Sequence, residues 1–304
     1  MTLALIVTGF ALLAFPGWLD RRRRFGPAQF AYIARASMLL GLAGIAAGLT
    51  LWGAPAVLHW ADAAGVPGLC DAVVHRLPFG GLELAVPMIV LSIAMIGRAI
   101  VVAHGSRRRA QRARVDQQFG RHRRVGDYDV VVIPSPQLVA VGVPGHQPQI
   151  VLSDGIVSEL SAPELDAVIR HEAAHHRLRH RQFLLTAVIV EQVFGWIPPV
   201  RSSAESLRNA IEAWADVESI RASQTRIVPL RSALQRLADG RTTTADRCSI
   251  ERRIALLDCC GDPADARRTR SFGPWVPSAA LGVVGSGALV FTVQMADAIV
   301  RCRA

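Results

Sequence analysis

His171-Glu172-Ala173-Ala174-His175 sets two imidazoles and a carboxylate in the spacing HExxH. On a helix, His171 and His175 lie one turn apart on one face and can offer two nitrogens to one metal ion. Glu172 then stands beside them, placed as general base toward a water held there. The helix expectation has separate support. Ser161-Ala162-Pro163-Glu164 reads as a capping box with proline in the first turn, and Leu165, Val168, Ile169 and Ala173 recur at helical spacing. A catalytic zinc takes three protein ligands and keeps its fourth position open, so a third donor is needed. A nearby third histidine in the pattern HExxHxxGxxH is excluded, because Leu178 stands at the glycine position and Arg181 at the histidine position. The better candidate is Asn209-Ala210-Ile211-Glu212-Ala213-Trp214-Ala215-Asp216. There Glu212 and Asp216 share a helix face, Glu212 as ligand and Asp216 as the acid that orients a ligand histidine.

These residues sit in a chain that is too apolar for an ordinary soluble protein. Of 304 residues, 51% are hydrophobic and the mean hydropathy is +0.30, a composition that points to several membrane spans. All 34 basic residues are arginine and the net charge is +10. Those arginines cluster beside apolar runs, where membrane topology accounts for them, and no direct nucleic-acid partner is expected. Five cysteines form no CxxC pair, which argues against a structural zinc site or a disulfide framework.

Three spans are expected in a membrane domain over residues 1–103, at about 2–19, 36–57 and 84–103. Arg21 to Arg24 follow the first, and Arg107, Arg108, Arg109, Arg112 and Arg114 follow the third. By the positive-inside rule both clusters are cytoplasmic and the N-terminus is outside. Arg98, inside the third span, is expected to snorkel toward headgroups. Residues 104–272 read as a cytoplasmic domain. It opens with strands at 128–133, 137–143 and 150–152, followed by the helix carrying HExxH. The stretch 137–143 is a candidate free edge for holding an extended peptide. Residues 183–197 form an apolar helix, buried or dipping into the bilayer, and 202–220 the helix bearing Glu212. Helical stretches follow at 231–239 and from 250. Residues 273–304 hold a fourth span and a short tail.

The ordered set Pro148-Gln149-Ile150-Val151-Leu152-Ser153, Leu160-Ser161-Ala162-Pro163-Glu164, His171 to His175, Trp196-Ile197-Pro198-Pro199 and Glu212 to Asp216 resembles the membrane zinc peptidase domain of BlaR/MecR-type signal transducers. More distantly it is similar to HtpX-type peptidases. The resemblance runs from about Val130 to Leu257. It implies an α-helical integral membrane protein with a cytoplasmic α+β gluzincin-like zinc peptidase domain between the third and fourth spans. It also implies zinc on His171, His175 and Glu212, with Glu172 as catalytic base and Asp216 as supporting acid. Arg253 resembles a basic position of the HtpX type that steadies substrate or oxyanion, although the histidine preceding it there is missing here. His180 stands where the family commonly has aspartate, and no role is assigned to it. The BlaR/MecR sensors continue past the fourth span into a penicillin-binding domain. The sequence ends at Ala304, so the expectation is a peptidase lacking that sensor.

The resulting expectation is a multi-pass cell-membrane zinc metalloendopeptidase that cuts a cytoplasmic protein in signalling, either a transcriptional repressor or itself. The partners are then a protein or peptide substrate and the lipid bilayer. Two rivals stand beside it: an HtpX-type quality-control protease, and a non-catalytic transducer whose zinc domain only binds. The presence of Glu172 weighs against the last, since metal binding alone does not need that residue. Substrate, stimulus and oligomeric state are not written in the sequence.

Overall fold

Three long helices open the computed structural model, which describes residues 2–22, 25–63, 81–117, 120–125, 128–143, 149–221, 227–239, 250–255 and 257. They are α1 (Thr2–Asp20), α2 (Pro27–Ala63) and α3 (Gly81–Gln117). Among the described residues, Thr2–Asp20, Pro27–Gly53 and Glu83–Arg108 are long and apolar enough to cross a membrane. The expected fourth span falls outside the described residues. Gly9 and Gly41 let α1 and α2 meet backbone to backbone. A Cβ on Gly41 would lie 2.7 Å from the carbonyl oxygen of Gly9, and one on Gly9 2.9 Å from that of Gly41.

Two arginines in these helices reach residues of a later helix. The second helix starts at Pro27, nine residues before the expected span, because Pro27 suits a first turn and Arg35 does not interrupt the helix. The Arg35 guanidinium lies over the Phe183 ring, 4.7 Å from its centroid. Arg98 donates to the backbone carbonyl and side-chain oxygen of Gln192, joining α3 to a later helix instead of reaching outward alone.

The next segment is a four-stranded sheet made of β1 (Arg121–Val125), β2 (Tyr128–Ile133), β3 (Ala140–Val143) and β4 (Gln149–Ser153). Its order is β1-β2-β4-β3, with β2 and β4 parallel and the outer pairs antiparallel. Among the described residues β3 therefore pairs only with β4 and forms one edge. It begins at Ala140, three residues later than expected. Ser153 holds the preceding residues as a loop, its hydroxyl accepting from the Val139 N–H at 3.0 Å and its own N–H donating to the Val139 carbonyl at 2.9 Å. β1 carries four charged or polar residues in five and shows no apolar alternation. Its pairing with β2 alone makes it a strand.

Five helices follow: α4 (Asp154–Glu159), α5 (Ala162–Arg177), α6 (His180–Phe194), α7 (Pro198–Ile220) and α8 (Ile227–Asp239). Residues 250–255 are also helical. The short α4 was not expected. It starts because the Ser153 hydroxyl accepts from the Ile156 N–H. In α7, Pro198 and Pro199 occupy the first turn, so the helix begins four residues earlier than its apolar pattern suggests.

The two largest cores among the described residues lie on either side of the site. One packs Val130, Val132, Ile150 and Leu152 of the sheet against Ile156, Leu165, Val168 and Ile169. The other is shared between the apolar N-terminal helices and α6 and α7: Leu13, Phe30 and Met38 pack with Phe183, Ala187, Val190, Leu207 and Ile211. The helix around Phe183 turns one stripe, Phe183, Ala187, Val190 and Phe194, into this core. Hydrogen bonds cross the same boundary. Gly17 N–H donates to Ser203 Oγ at 2.8 Å, and Ser206 Oγ donates to Asp20 at 3.0 Å. α7 is consequently fixed to α1 along the helix that carries Glu212.

Candidate metal centre

α5 starts at Ser161 because the Glu164 carboxylate turns back to accept the Ser161 backbone N–H at 2.8 Å. The same carboxylate accepts the Ser232 hydroxyl and the Arg236 Nε–H of α8. The Ser232 bond leads in holding its pKa down to about 2 against the opposing effect of burial, with Ser161 and Arg236 adding to it. The helix that presents His171 and His175 is therefore anchored at its start by a buried anion.

Two turns further along α5, the imidazoles face Glu212 of α7. His171 Nε2 and His175 Nε2 lie 3.1 Å apart. Glu212 Oε2 is 3.3 Å from the first, and Glu212 Oε1 is 3.6 Å from the second. Nitrogen and oxygen donors about 2.0–2.1 Å from a tetrahedral zinc are separated by about 3.3 Å. The three donors thus already have the spacing of one face of such a site. They are also the metal-capable cluster among the described residues, and two neutral nitrogens with one carboxylate suit zinc.

Asp216, one turn beyond Glu212, is 2% exposed and brings Oδ1 within 2.9 Å of His171 Nδ1. The approach is off the axis of the ring N–H, so it is a close ionic contact and not an aligned hydrogen bond. Arg253 grips Asp216 with two bonds of 2.7 Å, from Nε and Nη2, and sets Nη1 3.2 Å from Glu212. Its guanidinium is committed to these carboxylates. Arg253 is also among the residues that line the cleft beside the donors.

Glu172 points the other way, to the sheet. Its Oε2 accepts the backbone N–H of Gly142 in β3 at 2.9 Å. The edge strand therefore runs alongside Glu172. A cavity of about 560 Å³ opens here, walled by Ala140–Val143 on one side and by Leu230, Leu234 and Leu237 of α8 on the other.

Residues 105–251 match the profile of Peptidase family M48. The matched segment is a little under half of the chain and includes the HExxH helix, the sheet and α7. It supports the zinc metallopeptidase family at the level of the whole family. With the three apolar helices, it indicates a membrane-associated metallopeptidase. No curated protein and no solved structure gives a match.

The electrostatics of the metallopeptidase site follow from its packing. Burial works against charge on His171, but Asp216 and Glu212 outweigh it and raise its pKa to about 9. Burial likewise opposes the charge on Glu212, and the two histidines and Arg253 overcome that, holding it well below the usual carboxylate range. Asp216 is also lowered, by Arg253 and His171 against burial. Without metal, the cluster neutralises itself as a protonated His171 and Arg253 facing two carboxylates.

All six site residues expected from sequence are brought together. One participant was missed. His180, at the start of α6, is fully buried, and its Nδ1 lies 3.0 Å from Nδ1 of His175. Its ring packs on Trp214 of α7, with centroids 4.7 Å apart. Burial first, and the neighbouring His175 next, push its pKa down to about 3. The available sequence signal was its place five residues after His175, just past a helix end. Without the turn geometry that spacing has no reading.

Proposed function

We propose that this chain is a membrane-embedded zinc endopeptidase whose peptidase domain lies in the cytoplasm and cuts a protein there in signalling, either a transcriptional repressor or the chain itself. The observation that carries the proposal is the convergence of His171, His175 and Glu212 beside a carboxylate, Glu172, that is not among the three donors and borders a free strand edge. A site for metal storage or structure needs neither the fourth carboxylate nor the edge.

Zinc held by His171, His175 and Glu212 supplies a Lewis acid that polarises the scissile carbonyl and acidifies the attacking water. The residues of the chain do the rest. An extended substrate segment adds to β3 through its outward main-chain groups other than the Gly142 N–H, which Glu172 holds. Glu172 takes the proton of the attacking water on its carboxylate and delivers it to the leaving amine. The Gly142 N–H bonded to Glu172 Oε2 keeps that carboxylate at the cleft. Asp216 holds His171 from the Nδ1 side, leaving Nε2 turned to the metal, and Arg253 fixes Asp216.

The test is Glu172→Gln in native membranes, with zinc content and cleavage of a candidate repressor measured on the same preparations. Retained zinc with lost cleavage supports the proposal; retained zinc with wild-type cleavage refutes it. Cytoplasmic placement rests on the arginine clusters after the first and third apolar segments. A tag inserted near Gly261 should resist external protease in intact cells. Cleavage confined to one or a few proteins separates signalling from HtpX-type quality control, which would degrade many.

A further inference from the structure

We infer that His180 is a positioning residue for the metal centre: it accepts the Nδ1–H of His175 and so fixes the tautomer in which His175 Nε2 is free to bind metal. The inference rests on the zinc-peptidase reading and adds a residue that reading does not use.

The argument begins with the turn between α5 and α6. Arg179 is the one described non-glycine residue in the left-handed region, with φ 54°. This sharp reversal starts α6 directly and folds His180 back onto His175, so that their ring centroids lie 4.9 Å apart. The contact is between the two Nδ1 atoms, at 3.0 Å. One of them must carry the hydrogen.

Suppose it is Nδ1 of His180. A neutral His175 would then carry its own hydrogen on Nε2, the nitrogen aimed at His171 Nε2 and Glu212 Oε1. That tautomer cannot ligate. Metal binding therefore requires the hydrogen on His175 Nδ1, a lone pair on His180 Nδ1, and the hydrogen of neutral His180 on its Nε2. His180 Nε2 is buried and has no hydrogen-bond partner among the described residues. An apolar ring would fill the space beside Trp214 and Phe183 without leaving a polar nitrogen unsatisfied there. The histidine is explained by its other nitrogen.

The two ligand histidines are thus steadied in different ways. His171 faces a carboxylate, Asp216, whereas His175 faces a neutral ring. The neutral partner fixes direction without adding a second anion behind the metal.

The experiment uses the full chain in detergent micelles or nanodiscs. Zinc affinity is measured by chelator competition, the absorption bands of the cobalt-substituted protein are recorded, and the thermal midpoint of the metal-free protein is taken in parallel. In His180→Asn the amide oxygen stands close to where Nδ1 stood. In His180→Gln it moves toward the position of Nε2. His180→Phe keeps the stacking and has no acceptor. We expect His180→Asn to keep wild-type affinity and cobalt bands. His180→Gln and His180→Phe should lose about 10- to 100-fold in affinity, the usual range for groups that orient a ligand. The loss should not follow the metal-free midpoint. Wild-type affinity in His180→Gln or His180→Phe overturns the inference. So does an equal loss in His180→Asn, which would make the role one of packing. If the wild-type chain itself takes up no zinc, the proposed function fails as well; if it does and His180→Gln is undiminished, only the present inference fails.

Discussion

Metal uptake should compete with a proton on His171. In the metal-free molecule its pKa is about 9, because burial is outweighed by Asp216 and Glu212. A zinc ligand must be deprotonated, so binding below that pH expels the proton. Apparent affinity should then climb about tenfold from pH 7 to 8 and about fivefold more from pH 8 to 9, where the slope flattens at the pKa. Over the two units that is about fiftyfold, or about 2 kcal/mol. Zinc–chelator competition across this range reads the slope. Calorimetry at pH 7 in two buffers of different ionisation enthalpy should count close to one proton released from His171 per zinc. Asp216→Asn removes the carboxylate most responsible for the raised pKa and should flatten the slope. Stability of the metal-free protein follows the same group with a fixed sign. A raised pKa stabilises the fold fully below about pH 6.5 and loses that contribution as pH rises through about 9. The metal-free protein should therefore weaken on alkalinisation where the zinc-loaded protein does not. Affinity that is flat from pH 7 to 8.5, with no proton released, would refute the reasoning.

Other outcomes follow from single contacts. Glu172→Gln should retain zinc and lose about 10²- to 10⁴-fold in hydrolysis rate, measured on any peptide the wild type cuts. Gly142→Ala places a Cβ 2.3 Å from His176 Nε2, so the His176 ring must swing aside; zinc content should be unchanged and cleavage should fall far less than in Glu172→Gln. Glu164→Ala strips the caps from Ser161, Ser232 and Arg236 and should lower stability by about 2 kcal/mol near neutral pH. Because the Glu164 pKa is depressed to about 2, its contribution is present above about pH 4.5 and lost as pH falls toward 2, so the variant and wild type should converge in acid denaturation. Arg179→Gly relieves a left-handed residue at φ 54° and should raise the thermal midpoint, by up to about 1 kcal/mol in stability.

The chemistry of the site was legible because its residues carry rare side chains at helical spacing. His171, Glu172 and His175 lie on one helix, and Glu212 and Asp216 on another, so local periodicity alone groups each set. The capping box and the three apolar helices were equally local. What sequence could not supply was tertiary pairing. β1 is strongly charged and is a strand only because β2 lies beside it. Residues 137–139 have strand composition, but Ser153 holds them as a loop. Arg35 precedes the expected span at 36–57, and its contact with the Phe183 ring, 148 positions away, is a tertiary pairing. His180 depended on one backbone angle at Arg179, which no residue pattern announces.

The free edge of β3 is four residues long among the described residues. At about 3.3 Å per residue it spans about 13 Å, and alternate side chains of an added strand point to opposite faces. Such a track can inspect about two side chains of whatever lies on it. Two positions carry too little information to single out one protein among thousands. If cleavage is selective, most of the address must be read elsewhere, and with α1 in a bilayer the bonds of Ser203 and Ser206 from α7 to α1 would hold the proposed metal centre close to it. Proximity would then act as the main filter: what is brought to the membrane is cut, and the short edge only chooses the bond.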